Sequence, residues 1–172
     1  MWLRTLLFFV FLKGIAHAQE IASPEVIAAG SRFVELPGPD GRAPRGLTIW
    51  RAPSTPGGVL LPTIYVADGA RGVYLVAARL RGPIEARQMP PVQVIGMDPH
   101  PHDREDEYGK IARARYRAHE RWVIESVIPW AERVARADPQ RRVIAGYSNG
   151  ADFALAMAGD HPDLFSGALA HS

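Results

Sequence analysis

Residues Gly146-Tyr147-Ser148-Asn149-Gly150 hold a serine between two glycines at G-x-S-x-G spacing. The β-type run "RRVIAGY" (141–147) precedes it, and an apolar helical run (151–159) follows. That context predicts a strand, a sharp turn with Ser148 at its tip, and a helix. The chemistry is nucleophilic attack on a carbonyl carbon. Gly146 and Gly150 must be small, because bulk two residues from the serine would clash with the turn and the adjacent strand. The N-terminus of the helix favours developing negative charge, and the backbone N–H of Asn149 is expected to be one oxyanion donor. A plain Gly-rich turn with Ser148 as a helix N-cap is the simpler alternative.

The second oxyanion donor is expected from "YVADGA" (65–70), where an Asp-Gly turn after a buried strand can aim the N–H of Gly69 or Ala70 at the serine. A serine nucleophile also needs a histidine to activate it and an acid to orient that histidine. The chain has six histidines. His17 lies in the N-terminal segment, His119 on a long helix, and His161 just after the elbow helix. His171 ends the last strand, on the correct edge of the sheet. His100 and His102 with Asp103 form "HPHD", which has the outline of a metal cluster but lacks the further ligands such a site needs. No metal and no cofactor is expected. The chain has no cysteine, so neither a thiolate nucleophile nor a disulfide is possible.

Four apolar runs recur, at 61–69, 91–98, 141–147 and 167–172, the first of them rich in β-branched and aromatic residues. Runs apolar on both faces suit buried strands of a parallel sheet. "GLTIWRAP" (46–53) reads as a further short strand. Helical patterns lie between the runs. The first spans 72–80, with Val73, Val76, Ala77 and Leu80 on one face. The second spans 112–137, with Trp122, Val123, Val127, Trp130, Ala131 and Val134 on one stripe; Pro129 should kink or restart it. The alternation means an α/β fold with a mostly parallel sheet and flanking helices. The polar loop 97–110 leaves the C-terminal edge of the sheet, where such folds bind ligands, and is a candidate wall of the site.

With 172 residues, 47% hydrophobic and 22% charged, the chain suits one globular domain. Residues 1–18 stand apart. They carry Arg4, an apolar run from Leu6 to Leu12, and Ala16-His17-Ala18, the pattern of a cleavable secretory signal peptide. An uncleaved N-terminal anchor is the alternative; no transmembrane helix is expected after cleavage. Residues 19–46, rich in Pro, Gly, Ala and Arg, read as a loosely ordered segment, and 47–172 as the α/β domain. Arg4 and Lys13 account for the whole formal charge of +2, so the remainder is neutral and no nucleic-acid partner is implied. Arg113, Arg115, Arg117, Arg121, Arg133 and Arg136, interleaved with Glu120, Glu125 and Glu132, read as a solvated helix face. An exported chain without cysteine fits a bacterial periplasm or exterior.

From Thr48 to Ser172 the chain resembles the esterase branch of the α/β-hydrolases that includes the enterobactin (enterochelin) esterases and esterase-D-like enzymes. "PTIYVADGA" resembles that family's strand and oxyanion turn. "PVQVIGMD" followed by "REDEY" (104–108) resembles the next strand and its Arg-containing loop, and "ESVIPWAE" (125–132) a helix with a Glu-x-x-Ile-Pro core. "RRVIAGYSNGADFALAMAGDHPDLFSGALAHS" resembles the elbow, its helix, the His-Pro-x-x-Phe turn and the following strand. The resemblance implies an α/β-hydrolase-type sheet and a small-molecule ester substrate. Ser148 would be the nucleophile, with Asn149 and Gly69 or Ala70 forming the oxyanion hole. It also implies that the acid and the histidine lie on loops beyond residue 172, in an N-terminal part of a longer hydrolase. Two alternatives stay open: a non-catalytic protein that keeps the fold for binding, and a small enzyme that uses His171.

Overall fold

The computed structural model describes residues 21–53 and 55–172. The signal-peptide reading of residues 1–18, with His17, lies outside the described residues. In chain order the elements begin with α1 (Pro24–Ala29), β1 (Ser31–Leu36), β2 (Arg45–Arg51), β3 (Leu61–Ala67), α2 (Gly69–Glu85) and β4 (Gln93–Met97). They continue with α3 (Arg104–Tyr108), α4 (Arg113–Trp122), α5 (Ile128–Val134), β5 (Ala137–Tyr147), α6 (Asn149–Asp160) and β6 (Gly167–His171).

The six strands form one sheet in the order β1-β2-β4-β3-β5-β6. β1 with β2 and β2 with β4 are antiparallel, and the remaining three pairs are parallel. Successive residues of a strand face opposite sides of the sheet, and both sides are covered. Tyr65 and Ala67 pack with Tyr108, Trp122, Phe153 and Met157 under α3 to α6. Ile64 and Val66 pack with Ile27, Val73 and Ala77 under α1 and α2. Three layers explain why the strands read as unbroken apolar runs.

Two sequence expectations are corrected. Part of the segment read as loosely ordered, residues 24–36, forms α1 and β1. Ser23 caps α1 and Pro24 opens it, both ordinary helix-start chemistry. Ile27 is fully buried, and β1 gains its order by pairing with β2, a long-range contact that a Pro- and Gly-rich composition hides. The 112–137 helix also differs. It runs through a π-helical turn at Val123–Val127, just before Pro129, and ends at Val134 before Arg136 takes a left-handed φ of 58°. A π turn adds a residue and rotates everything after it. Ile128 is therefore buried while Val134 is 50% exposed, and the single stripe breaks there.

Candidate active site

Ser148 sits between β5 and α6 with φ 54° and ψ −128°, a region that side-chain-bearing residues seldom occupy. Its N–H donates to the carbonyl of His171 at 2.9 Å, and its own carbonyl accepts from Ala151 at 2.7 Å. Its side chain makes no capping hydrogen bond, so the N-cap alternative does not describe this turn. Ser148 is exposed. The turn is tight: a Cβ on Gly146 would lie 1.9 Å from the Gly150 carbonyl oxygen. The N–H groups of Asn149 and Gly150 open α6 and have no acceptor within the helix.

The β3–α2 turn lies against the elbow. A Cβ on Gly150 would meet Ala67 Cβ at 2.9 Å and Asp68 Oδ2 at 3.4 Å. Asp68 and Gly69 both adopt positive φ, 67° and 51°, and this reverses the chain within two residues. Gly69 and Ala70 then open α2, with N–H groups that lack an acceptor within the helix. A side chain at position 69 would be strained by the positive φ, and its Cβ would force the Asp98 carboxylate to move. Both turns expected to flank the reacting carbon are therefore adjacent helix N-termini at one edge of the sheet.

The polar loop 97–110 contributes α3. Arg104 donates to both oxygens of Asp68, Nε to Oδ1 at 2.5 Å and Nη2 to Oδ2 at 2.8 Å. The Asp68 N–H donates to Tyr108 Oη at 2.9 Å. Burial pushes the Tyr108 phenol up, so it stays protonated. The hydrogen bond to Asp68 raises Arg104 further above its already high value. Burial, and then the neighbouring Asp68, push the Asp98 carboxyl above the usual carboxylate range. Asp68, Asp98, Arg104 and Tyr108 were not singled out from sequence. The available signal was the four-residue spacing of Arg104 and Tyr108, which places both on one face of a helical turn.

Among the described residues no histidine is hydrogen-bonded to Ser148 Oγ. His171 is exposed and stacks on Tyr147, with ring centroids 5.3 Å apart. His161 binds Glu120 at 2.9 Å, tying the end of α6 to α4. His119 is fully buried, and desolvation lowers its pKa to about 4. His100 Nδ1 stands 3.2 Å from Asp103, but that carboxylate also pairs with Arg115 and Arg42. Among the described residues no group of three His, Cys, Asp or Glu is placed to hold a metal ion.

A groove of about 730 Å³ opens beside the elbow, between α2 and the last two strands. Asp68, Arg71, Leu75, Tyr147, Leu169 and His171 are among its walls. Among the described residues no helix is long and apolar enough to cross a membrane.

The Esterase family, described as "Putative esterase", matches residues 48–172. No curated protein sequence matches the chain. Among solved structures, enterochelin esterase from Shigella flexneri superposes with a TM-score of 0.65 at 18% identity, over 82% of this chain and 35% of that one. The BES protein from Bacillus cereus gives 0.65 at 14% identity, over 91% and 64%. Siderophore hydrolase EstA from Aspergillus nidulans gives 0.63 at 17%, over 81% and 55%. At these identities the likeness is one of fold. The chain spans little more than a third of the length of the enterochelin esterase.

Proposed function

The chain belongs to the Esterase family, and from that premise we propose that it is the nucleophile-bearing part of an exported serine hydrolase that cleaves carboxylic esters. Ser148 Oγ attacks the ester carbonyl. The N–H of Asn149, together with that of Gly69 or Ala70, binds the resulting oxyanion, and the two helix N-termini stabilise the charge as it develops. A histidine takes the serine proton and returns it to the leaving alcohol, and an acid orients that histidine. The reading takes both groups from a part of the enzyme outside these 172 residues. That this chain covers 35% of the enterochelin esterase and 55% of the siderophore hydrolase EstA supports this. The names of the structural neighbours, an enterochelin esterase and a siderophore hydrolase, support siderophore-type acyl esters as the substrate class. Residues 1–18 support export. No cofactor is required.

The observation that carries the reading is the backbone of Ser148. A serine is held at φ 54° and ψ −128°, its hydroxyl unused by the fold, next to a second turn with free N–H groups. Strain of this kind costs about 1–3 kcal/mol and persists at functional sites.

The test is intact-mass analysis of the natural gene product after treatment with a fluorophosphonate. A single adduct, lost in Ser148→Ala, is the expected result. No adduct on the natural product, or an adduct that survives Ser148→Ala, would overturn the assignment. On its own the 172-residue chain is expected to label far more slowly than the natural product.

A further inference from the structure

The geometry points to Arg104 as a positioning residue for the oxyanion turn: by clamping the Asp68 carboxylate, it holds the free N–H groups of residues 69 and 70 against the nucleophile elbow. This rests on the reading of Ser148 as nucleophile.

The turn has little to hold it from within. Asp68 is a non-glycine residue in the left-handed region, and its side chain does not cap α2. Its carboxylate lies close to that of Asp98, and after burial it is the second reason the Asp98 carboxyl is raised. The restraints come from α3. Arg104 grips both carboxylate oxygens in a fork geometry that fixes orientation as well as distance. Tyr108 Oη accepts the Asp68 N–H. That bond occupies the Asp68 donor and leaves the next N–H groups as those able to face a substrate.

The same short helix also reaches the other half of the site. The Tyr108 ring stacks on Phe153 of α6, with centroids 5.3 Å apart and planes at 29°. The Arg104 guanidinium lies over the Tyr108 ring at 5.2 Å. Tyr108 therefore meets the β3–α2 turn through its hydroxyl and the helix that carries the elbow through its ring. α3 is itself anchored: Glu107 is 1% exposed and paired at 2.9 Å with Arg45, which is 2% exposed. Its other oxygen accepts the His100 N–H at 2.8 Å. Arg104 thus joins a rigid support to a turn that would otherwise relax.

The experiment uses the full natural gene product. Asp68→Asn, Arg104→Gln, Arg104→Lys and the Asp68→Asn/Arg104→Gln double variant are compared by hydrolysis of p-nitrophenyl butyrate and by fluorophosphonate labelling rate. Asparagine tolerates the left-handed region, so Asp68→Asn keeps the backbone and removes only the charge. A misplaced donor should lower kcat by about ten- to a hundredfold, with KM within about twofold of the parent, as for an interaction realised in the transition state. The double variant should lose no more than either single variant, because both break one network. Arg104→Lys should restore part of the rate, since lysine replaces the charge but not the fork. A rise in KM at unchanged kcat would show that Arg104 binds substrate instead. Multiplying losses in the double variant, or unchanged rates, would also overturn the proposal. If the arginine variants fail to fold, Tyr108→Phe tests the same turn by removing one hydroxyl, and an unchanged kcat there sinks the idea. Labelling that survives Ser148→Ala would instead indict the nucleophile assignment, a separate failure.

Discussion

Ser148 carries a backbone conformation better suited to glycine, and this makes a stability test possible. Ser148→Gly should raise stability by about 1 kcal/mol over Ser148→Ala, because only glycine adopts that region without strain. Urea denaturation of the two variants measures it; equal midpoints would mean the serine is unstrained. Gly146→Ala should cost more than about 2 kcal/mol, since its Cβ meets backbone, at 1.9 Å, and not a side chain that can move. The glycine spacing was legible in the sequence because it is a local steric demand. The roles of Asp68 and Arg104 were not, because their partnership spans 36 residues and depends on where α3 docks.

α3 and α4 enclose the one fully buried histidine among the described residues. His119 packs among Tyr108, Trp122 and Phe153, and its pKa falls from 6.5 to about 4. Desolvation is the main cause; Glu107 opposes the shift and Arg45 adds to it. Between these values the unfolded chain binds more protons than the folded one, so stability rises with pH. The contribution, on the order of 3 kcal/mol, is present above about pH 6.5 and lost as pH falls toward 4. His119→Phe should flatten that part of a stability-versus-pH curve, and an unaltered slope would assign it to other groups. The anchor beneath α3 is testable too. Arg45→Met should cost about 3–5 kcal/mol by leaving Glu107 buried and unpaired, and adding Glu107→Gln should recover part of it. Thermal or urea unfolding would show this. The existence of the long helix was readable from its apolar stripe, whereas its end at Val134 and the π turn were not, because the turn settles where the packing of 123–127 and the missing N–H of Pro129 meet.

At the scale of the molecule, several apolar side chains stay exposed beside the site. Leu75 is 41%, Tyr147 42% and Leu169 55% exposed, all on the groove between α2 and the β5–β6 edge. Among the described residues β6 pairs on one side only. An apolar edge strand beside an apolar groove invites association. The 172-residue chain should therefore self-associate as its concentration rises, and Leu169→Lys should reduce this in sedimentation velocity. A chain that stays monomeric at high concentration would contradict it.

By itself the sequence determined whatever depends on neighbours along the chain: the α/β alternation, the strand–serine–helix turn, and the Asp-Gly reversal before α2. These follow from periodicity and from the backbone limits of a few residues. Tertiary structure alone decided that β1 joins the sheet and that the two turns abut. It also decided that an arginine and a tyrosine from α3 hold one turn while packing on the helix of the other. Those outcomes depend on which distant surfaces meet, and that is set by the burial of the two apolar faces of the sheet, not by any local pattern.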